Sequence, residues 1–348
     1  MGLWMLDGRW RMLDVARSRA IRWSVPILFV LQFFLLSVRG SDSPGVMARQ
    51  LGPQFRTQSS GRFTVISDSD VGSVQDTLKL AESTFGRVEA FAKTITATTR
   101  TPGDTMTVVL FDGWSGYEAF ARGKGFVVSE AVPGFFDEAA NRCYLFNYAN
   151  AEIIRRKREE LSVARKEVFP APYDANNPER VRRLARIREI EGQLEAHLEL
   201  VSATVVRHEI AHQVLWNLGL QRADQSQRRW LKEGLAMQFE TMDLANRYRL
   251  ADWRTIDWQA GKMTLRDIVG DAARIGPGAA NPQQAYAASW GLVRYLIRKK
   301  PKELAAYIRE SGSWEKDQAD CVRGFEEAFG KIDKAFERVC REDVTTKE

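Results

Sequence analysis

Two spacings of apolar residues divide the chain. Over the first 150 residues, short apolar runs suited to strands alternate with helix-spaced stretches. Beyond that point helix spacing prevails. Residues 62–67 (RFTVIS) and 105–111 (TMTVVLF) read as strands. Residues 73–97 carry Leu78, Ala81, Phe85, Val88 and Phe91 at helix spacing. Residues 116–122 form a short helix, and residues 134–147 a hairpin with turn residues between two aromatic-rich arms. Charged, helix-periodic stretches at 152–169 and 179–218 flank PAPYDANNP, which makes a helical hairpin with a Pro/Asn turn. Further helices are expected at 229–247, 264–270, 285–299, 301–311, 314–328 and 331–342, with a long loop at 271–284. The predicted class is α+β: a small N-terminal mixed sheet with helices over 61–150, a charged helical hairpin inserted over 151–195, and a mostly helical lobe over 196–342.

The ends of the chain have a different character. Residues 23–38 (WSVPILFVLQFFLLSV) are sixteen residues without a charge, preceded by an arginine-bearing stretch. A full membrane span needs roughly 20 residues, so residues 1–40 read as a signal peptide or signal anchor, and the chain as exported. Residues 41–60, rich in Ser, Gly, Pro and Gln, read as a linker. The net charge of +6 is concentrated at the front: residues 1–40 hold six arginines against two aspartates, leaving about +2 for the remainder. The hairpin carries eleven basic and nine acidic side chains over 152–195, a solvated surface and not a binding patch. No nucleic-acid partner is therefore expected, and contact with a membrane only through the N-terminal segment. Cys143, Cys321 and Cys340 have no CxxC spacing. In an exported chain, Cys321 and Cys340, on successive helices around Gly330, are expected to form a disulfide.

Two of the three histidines lie four positions apart in RHEIAHQVLWNLG. At that spacing His208 and His212 leave one helix face about a turn apart and can reach one metal ion. Glu209 lies at the flank of that face, where a carboxylate can take a proton from metal-activated water. A catalytic zinc site wants a third protein ligand. Glu233, in WLKEGLAMQFE, follows His212 by twenty-one residues, after a turn closed by Gly219. Leu231, Leu235, Phe239 and Met242 would form the packed face of its helix, with Gly234 and Ala236 admitting the first helix closely. His197 competes poorly: eleven residues before His208 on the same helix, it stands about 16 Å away at 1.5 Å per residue. Glu240, seven residues after Glu233, reads as a surface carboxylate, with a bond to a ligand histidine as the other option.

The HExxH motif followed by a glutamate on the next helix resembles the gluzincin pattern of thermolysin-like and aminopeptidase-like metallopeptidases. HEIAHQ…WLKEGLAMQFE together with AYAASWGLVRYL (285–296) is similar to a peptidase-MA-like family of exported bacterial proteins of unknown function. The resemblance implies a zincin-like helical lobe, zinc ligands His208, His212 and Glu233, Glu209 as general base, and a peptide or protein substrate. The aminopeptidase motif GxMEN is absent, which favours an endopeptidase. Relatives supply an oxyanion donor from a tyrosine or histidine; Tyr286 is the best-placed candidate, with a packing role as its alternative. Residues 142–147 are offered as the edge strand that receives an extended peptide. The competing expectations are an inactive peptidase-like binding or scaffold protein and a structural envelope protein held by its N-terminal segment.

Overall fold

The computed structural model describes residues 2–6, 9–13, 43–95, 105–126, 128–130, 132–168, 178–222, 228–242, 246–256, 263–270, 275, 281–310 and 318–345. Strands β1 (Gly2–Leu6) and β2 (Arg9–Leu13) pair as a separate antiparallel ribbon. The apolar stretch at 23–38 lies outside the described residues. Among those described, no helix is long and apolar enough to cross a membrane.

The fold is α+β, with one mixed sheet in the N-terminal part and helices thereafter. The sheet has the order β3-β4-β5-β7-β6, where β3 is Arg56–Ser60, β4 Phe63–Ser67, β5 Met106–Phe111, β6 Gly134–Asp137 and β7 Arg142–Phe146. β4, β5 and β7 run parallel, and both outer pairings are antiparallel. β4 and β5 are buried along their whole length, which is why they read as continuous apolar runs with no alternation.

Helix α1 (Pro44–Leu51) and β3 occupy the segment expected to be a linker. α1 begins at Ser43, whose hydroxyl accepts the Val46 N–H, with Pro44 in the first turn. β3 (RTQSS) is an edge strand exposed on both faces, so it carries no apolar signal.

α2 (Val71–Thr94) packs on one face of the sheet through Phe85 against Phe63. α3 (Trp114–Gly123) packs on the other through Tyr117 and Phe120 against Phe146 and Tyr144. β7 lies inside the sheet; the edge strand on that side is β6. The strand offered for an extended peptide is therefore corrected from residues 142–147 to Gly134–Asp137. The two strands form one hairpin, so the apolar pattern alone does not say which arm lies outermost.

α4 (Glu152–Val168) and α5 (Pro178–Asn217) form the charged hairpin, laced by ion pairs such as Arg158–Glu195 and Arg165–Glu191. α5 is one unbroken helix of 40 residues, about 60 Å long, and joins the hairpin to the sheet face. In the C-terminal lobe, α6 (Arg229–Ala236), α7 (Arg247–Thr255), α8 (Leu265–Gly270) and α12 (Lys334–Thr345) all pack on α9 (Pro282–Lys299). Every residue of α9 from Ala285 to Leu296 is buried, as a central helix requires. α10 (Pro301–Glu310) and α11 (Gln318–Phe329) complete the lobe.

Three further expectations change. The helix predicted over 229–247 ends at Ala236, continues as a single 3-10 turn over Met237–Phe239, and leaves Met242 62% exposed instead of packed. Gly234 faces α9 and not α5: an added Cβ would lie 2.7 Å from the Ser289 carbonyl oxygen and 2.5 Å from Val293 Cγ2. Cys321 and Cys340 are buried thiols and not a disulfide. α11 packs mainly along α8 and α10 whereas α12 packs along α9, and the two helices meet through the Phe325 and Phe336 rings, 6.0 Å apart.

Candidate metal centre

α5 is fixed on the sheet by its polar residues next to the histidines. The Gln213 side-chain amide donates to the Thr107 and Asn141 carbonyls at 3.2 and 2.8 Å. Asn217 and Asn141 exchange amide hydrogen bonds of 2.8 and 3.0 Å. Asn141 sits in the β6–β7 turn at φ 52°, a left-handed conformation that asparagine tolerates. The Cys143 thiol donates to the Glu209 carbonyl at 3.2 Å. Glu209 is thereby set against β6, and Gly134 makes room for it: a Cβ there would lie 3.2 Å from Glu209 Cγ and 2.3 Å from Leu145 Cδ2.

α5 ends in a Schellman turn. Gly219 takes φ 78°, the Gly219 N–H donates to the Trp216 carbonyl, and the Leu220 N–H donates to the Leu215 carbonyl. The turn delivers Gln221 back onto the helix it has just left. Gln221 accepts the Nδ1–H of His212 at 3.1 Å and donates to the Lys232 carbonyl at 2.9 Å, linking the histidine to α6. Lys232 in turn pairs with Glu138 of the β6–β7 turn at 2.7 Å. These contacts bring the next residue, Glu233, over the histidine face.

The inner side of the site is a triangle of three donor atoms. His208 Nε2 and His212 Nε2 are 3.0 Å apart. Glu233 Oε2 stands 3.3 Å from the first and 3.6 Å from the second. His208, His212 and Glu233 are all buried, and among the described residues they are the group able to hold a metal ion. Neither Glu233 oxygen has a hydrogen-bond partner. Both histidines spend their Nδ1 on outward partners, His208 on Glu240 at 3.0 Å and His212 on Gln221, which leaves the Nε2 lone pairs facing inward. Within this contact set three buried carboxylates (Glu209, Glu233 and Glu240) face one buried guanidinium, Arg249. With both histidines neutral, as metal ligands are, the excess of two negative charges is what a divalent cation would balance.

Ionisation follows the same balance. Burial opposes a charged His208, but the Glu233 and Glu240 carboxylates at its two nitrogens outweigh it and push its pKa up to about 9. Burial also opposes a charged Glu233; the adjoining histidines outweigh it and hold the carboxyl well below the ordinary range. Glu240 is brought down to about 2 against its burial by Arg249 and His208. Glu209 moves the other way. Its burial dominates and raises its pKa, with the two histidines opposing, and the Phe136 backbone N–H is its hydrogen-bond partner.

The structure thus brings together His208, His212, Glu233 and Glu209. Tyr286 is buried with them: Glu233 and Glu209 are among the charges acting on its hydroxyl, which burial raises well above the ordinary range. His197 lies on the same unbroken α5 and is not part of the cluster. Glu240 is not the surface carboxylate expected; it is buried and bonded to His208. Sequence reasoning did not single out Gln221, Asn246 or Arg249. A buried polar residue in a helical lobe carries no periodic signature, and only proximity to Gly219 could have pointed to Gln221.

A buried His-His-Glu group on an α+β scaffold, with a second carboxylate, Glu209, beside it, defines a candidate metal centre. Residues 202–315, about a third of the chain, match a family model described as "Protein of unknown function (DUF1570)"; the match spans all three candidate ligands, Glu240, Arg249 and Tyr286. No curated protein matches the chain.

Proposed function

We propose that this chain is a zinc metallopeptidase of the gluzincin type, acting as an endopeptidase on a peptide or protein substrate. The observation that carries the reading is the Nε2–Nε2–Oε2 triangle with Glu209 at its side. Bonds of about 2.0–2.1 Å in a tetrahedral site place ligand atoms about 3.3–3.4 Å apart. The separations of 3.0, 3.3 and 3.6 Å bracket that figure. Two imidazoles and a carboxylate are a donor set that suits zinc and leaves a fourth position open.

When bound, zinc supplies a Lewis acid that acidifies water and polarises a scissile carbonyl. The protein's own groups do the rest. Glu209, with its carboxyl raised by burial, accepts the proton of the attacking water and returns it to the leaving amine. Tyr286, neutral because burial keeps its hydroxyl protonated, donates to the developing oxyanion. The outer edge of β6 presents the Gly134 N–H and the Gly134 and Phe136 carbonyls, since the alternate residues pair with β7 and the Phe136 N–H is engaged by Glu209. An extended peptide would lie along that edge. The sequence of residues 23–38 supports export.

Purified protein should hydrolyse an unstructured polypeptide. Glu209→Gln should lower turnover about 10²–10⁴-fold with zinc still bound, because Glu209 is not a ligand. Near-normal turnover in that variant would remove Glu209 as the base. Zinc binding without turnover in the unmodified protein would turn the reading to a peptidase-like binding module. Tyr286→Phe should lower kcat about 10²–10³-fold and leave KM little changed. An unaltered kcat would return Tyr286 to packing.

A further inference from the structure

The carboxylate behind His208 is more constrained than a single histidine partner requires. Glu240 accepts four hydrogen bonds, two at each oxygen. Oε1 takes His208 Nδ1 at 3.0 Å and Arg249 Nη2 at 2.7 Å. Oε2 takes Arg249 Nε at 3.0 Å and Asn246 Nδ2 at 2.9 Å. The arginine grips both oxygens through its fork, which fixes the plane of the carboxylate as well as its distance. Asn246 holds the second oxygen from a left-handed backbone at φ 32°, an uncommon conformation outside glycine. The Asn246 carbonyl oxygen of the side chain accepts the Arg249 N–H, so the same residue also caps α7. All three residues are buried. Arg249 also lies over the Tyr286 ring, 5.8 Å from its centroid.

We propose that Arg249 and Asn246 are positioning residues for the metal centre: acting through Glu240, they hold the His208 ring so that its Nε2 faces His212 and Glu233. The inference rests on the metal-binding reading of this site. A carboxylate with only His208 for a partner would be free to turn about its own bonds, and the ring would turn with it. The guanidinium fork removes that freedom. A lysine, one point charge without a fork, would supply the charge and not the plane. α7, which holds no ligand, is thereby made part of the site.

The test is the zinc affinity of the full chain, measured by competition with a chromophoric chelator. Arg249→Met should weaken zinc binding about 10–100-fold, the usual loss when a partner outside the ligand set is removed. Arg249→Lys should recover part of that loss. Asn246→Gly, which suits the left-handed backbone and is an acceptable cap, should weaken binding by a smaller factor with the fold intact. Trp253→Phe disturbs α7 where it packs on Gly291, one turn beyond Arg249, and should leave affinity within about twofold. Zinc binding within twofold of the unmodified protein in folded Arg249→Met overturns the inference. An equal loss in Trp253→Phe does too, since the effect would then be one of helix stability. Should Arg249→Met not fold, unchanged affinity in Asn246→Gly overturns it. An unmodified protein that takes up no zinc defeats the metal reading itself, which separates the two failures.

Discussion

Histidine and glutamate carry the account because few side chains can converge on one cation without water between them. The four positions between His208 and His212 put both rings on one face, and that was legible at once. Glu233 was legible through its distance from Gly219 and its place on the next helix. The residues that aim them were not. Gln221, Asn246 and Arg249 are polar residues in buried positions, and a lone polar residue reads as surface until its partners are known. The third ligand can be tested at this level. Glu233→Ala should lose most zinc affinity, whereas His197→Ala, three turns away on the same helix, should keep it. Equilibrium dialysis showing equal retention in both would dismiss Glu233. Glu240 predicts a pH dependence in the metal-free protein. Its folded pKa of about 2 lies below the ordinary 4.5. The stability it contributes is therefore complete above about pH 4.5 and is lost as the pH falls towards 2. Denaturation midpoints of Glu240→Gln should fall less steeply across that window; an unchanged slope would contradict the assignment.

Helices and inner strands were recognised by period, and their ends and order were not. β4 and β5 are apolar on both faces and can be read directly, while β3 is exposed on both faces and has the polar sequence of a linker. The β6–β7 hairpin was evident, but pairing with β5, which decides the edge strand, is a long-range contact with no local mark. The helix carrying Glu233 is short because the chain tightens at Met237–Phe239, which turns Glu240 towards His208. Two close approaches hold these elements in place. At Gly234 a methyl group would meet a backbone carbonyl that cannot move aside, so Gly234→Ala should destabilise by about 1–3 kcal/mol or more. At Gly134 the nearest atom belongs to the Leu145 side chain, which can yield, so Gly134→Ala should destabilise less and shift Glu209. Urea denaturation of the two variants orders them; a neutral Gly234→Ala would contradict the packing of α6 on α9.

The chain works as one unit because α5 belongs to both of its parts. Its C-terminal end lies on the sheet and supplies His208 and His212, while the helical lobe supplies Glu233 and the Glu240 network. The α+β class could be read from the change in period along the chain; that Cys321 and Cys340 remain thiols could not, because it depends on which helices α11 and α12 choose as neighbours. All three cysteines should resist alkylation in the native protein and react fully on unfolding, without reductant. Mass spectrometry finding a Cys321–Cys340 bridge would contradict that arrangement. Every step of the functional reading passes through one cation held by His208, His212 and Glu233, and elemental analysis of protein purified without chelator tests it. About one zinc per chain is expected. No zinc, with none taken up on addition, would contradict the account.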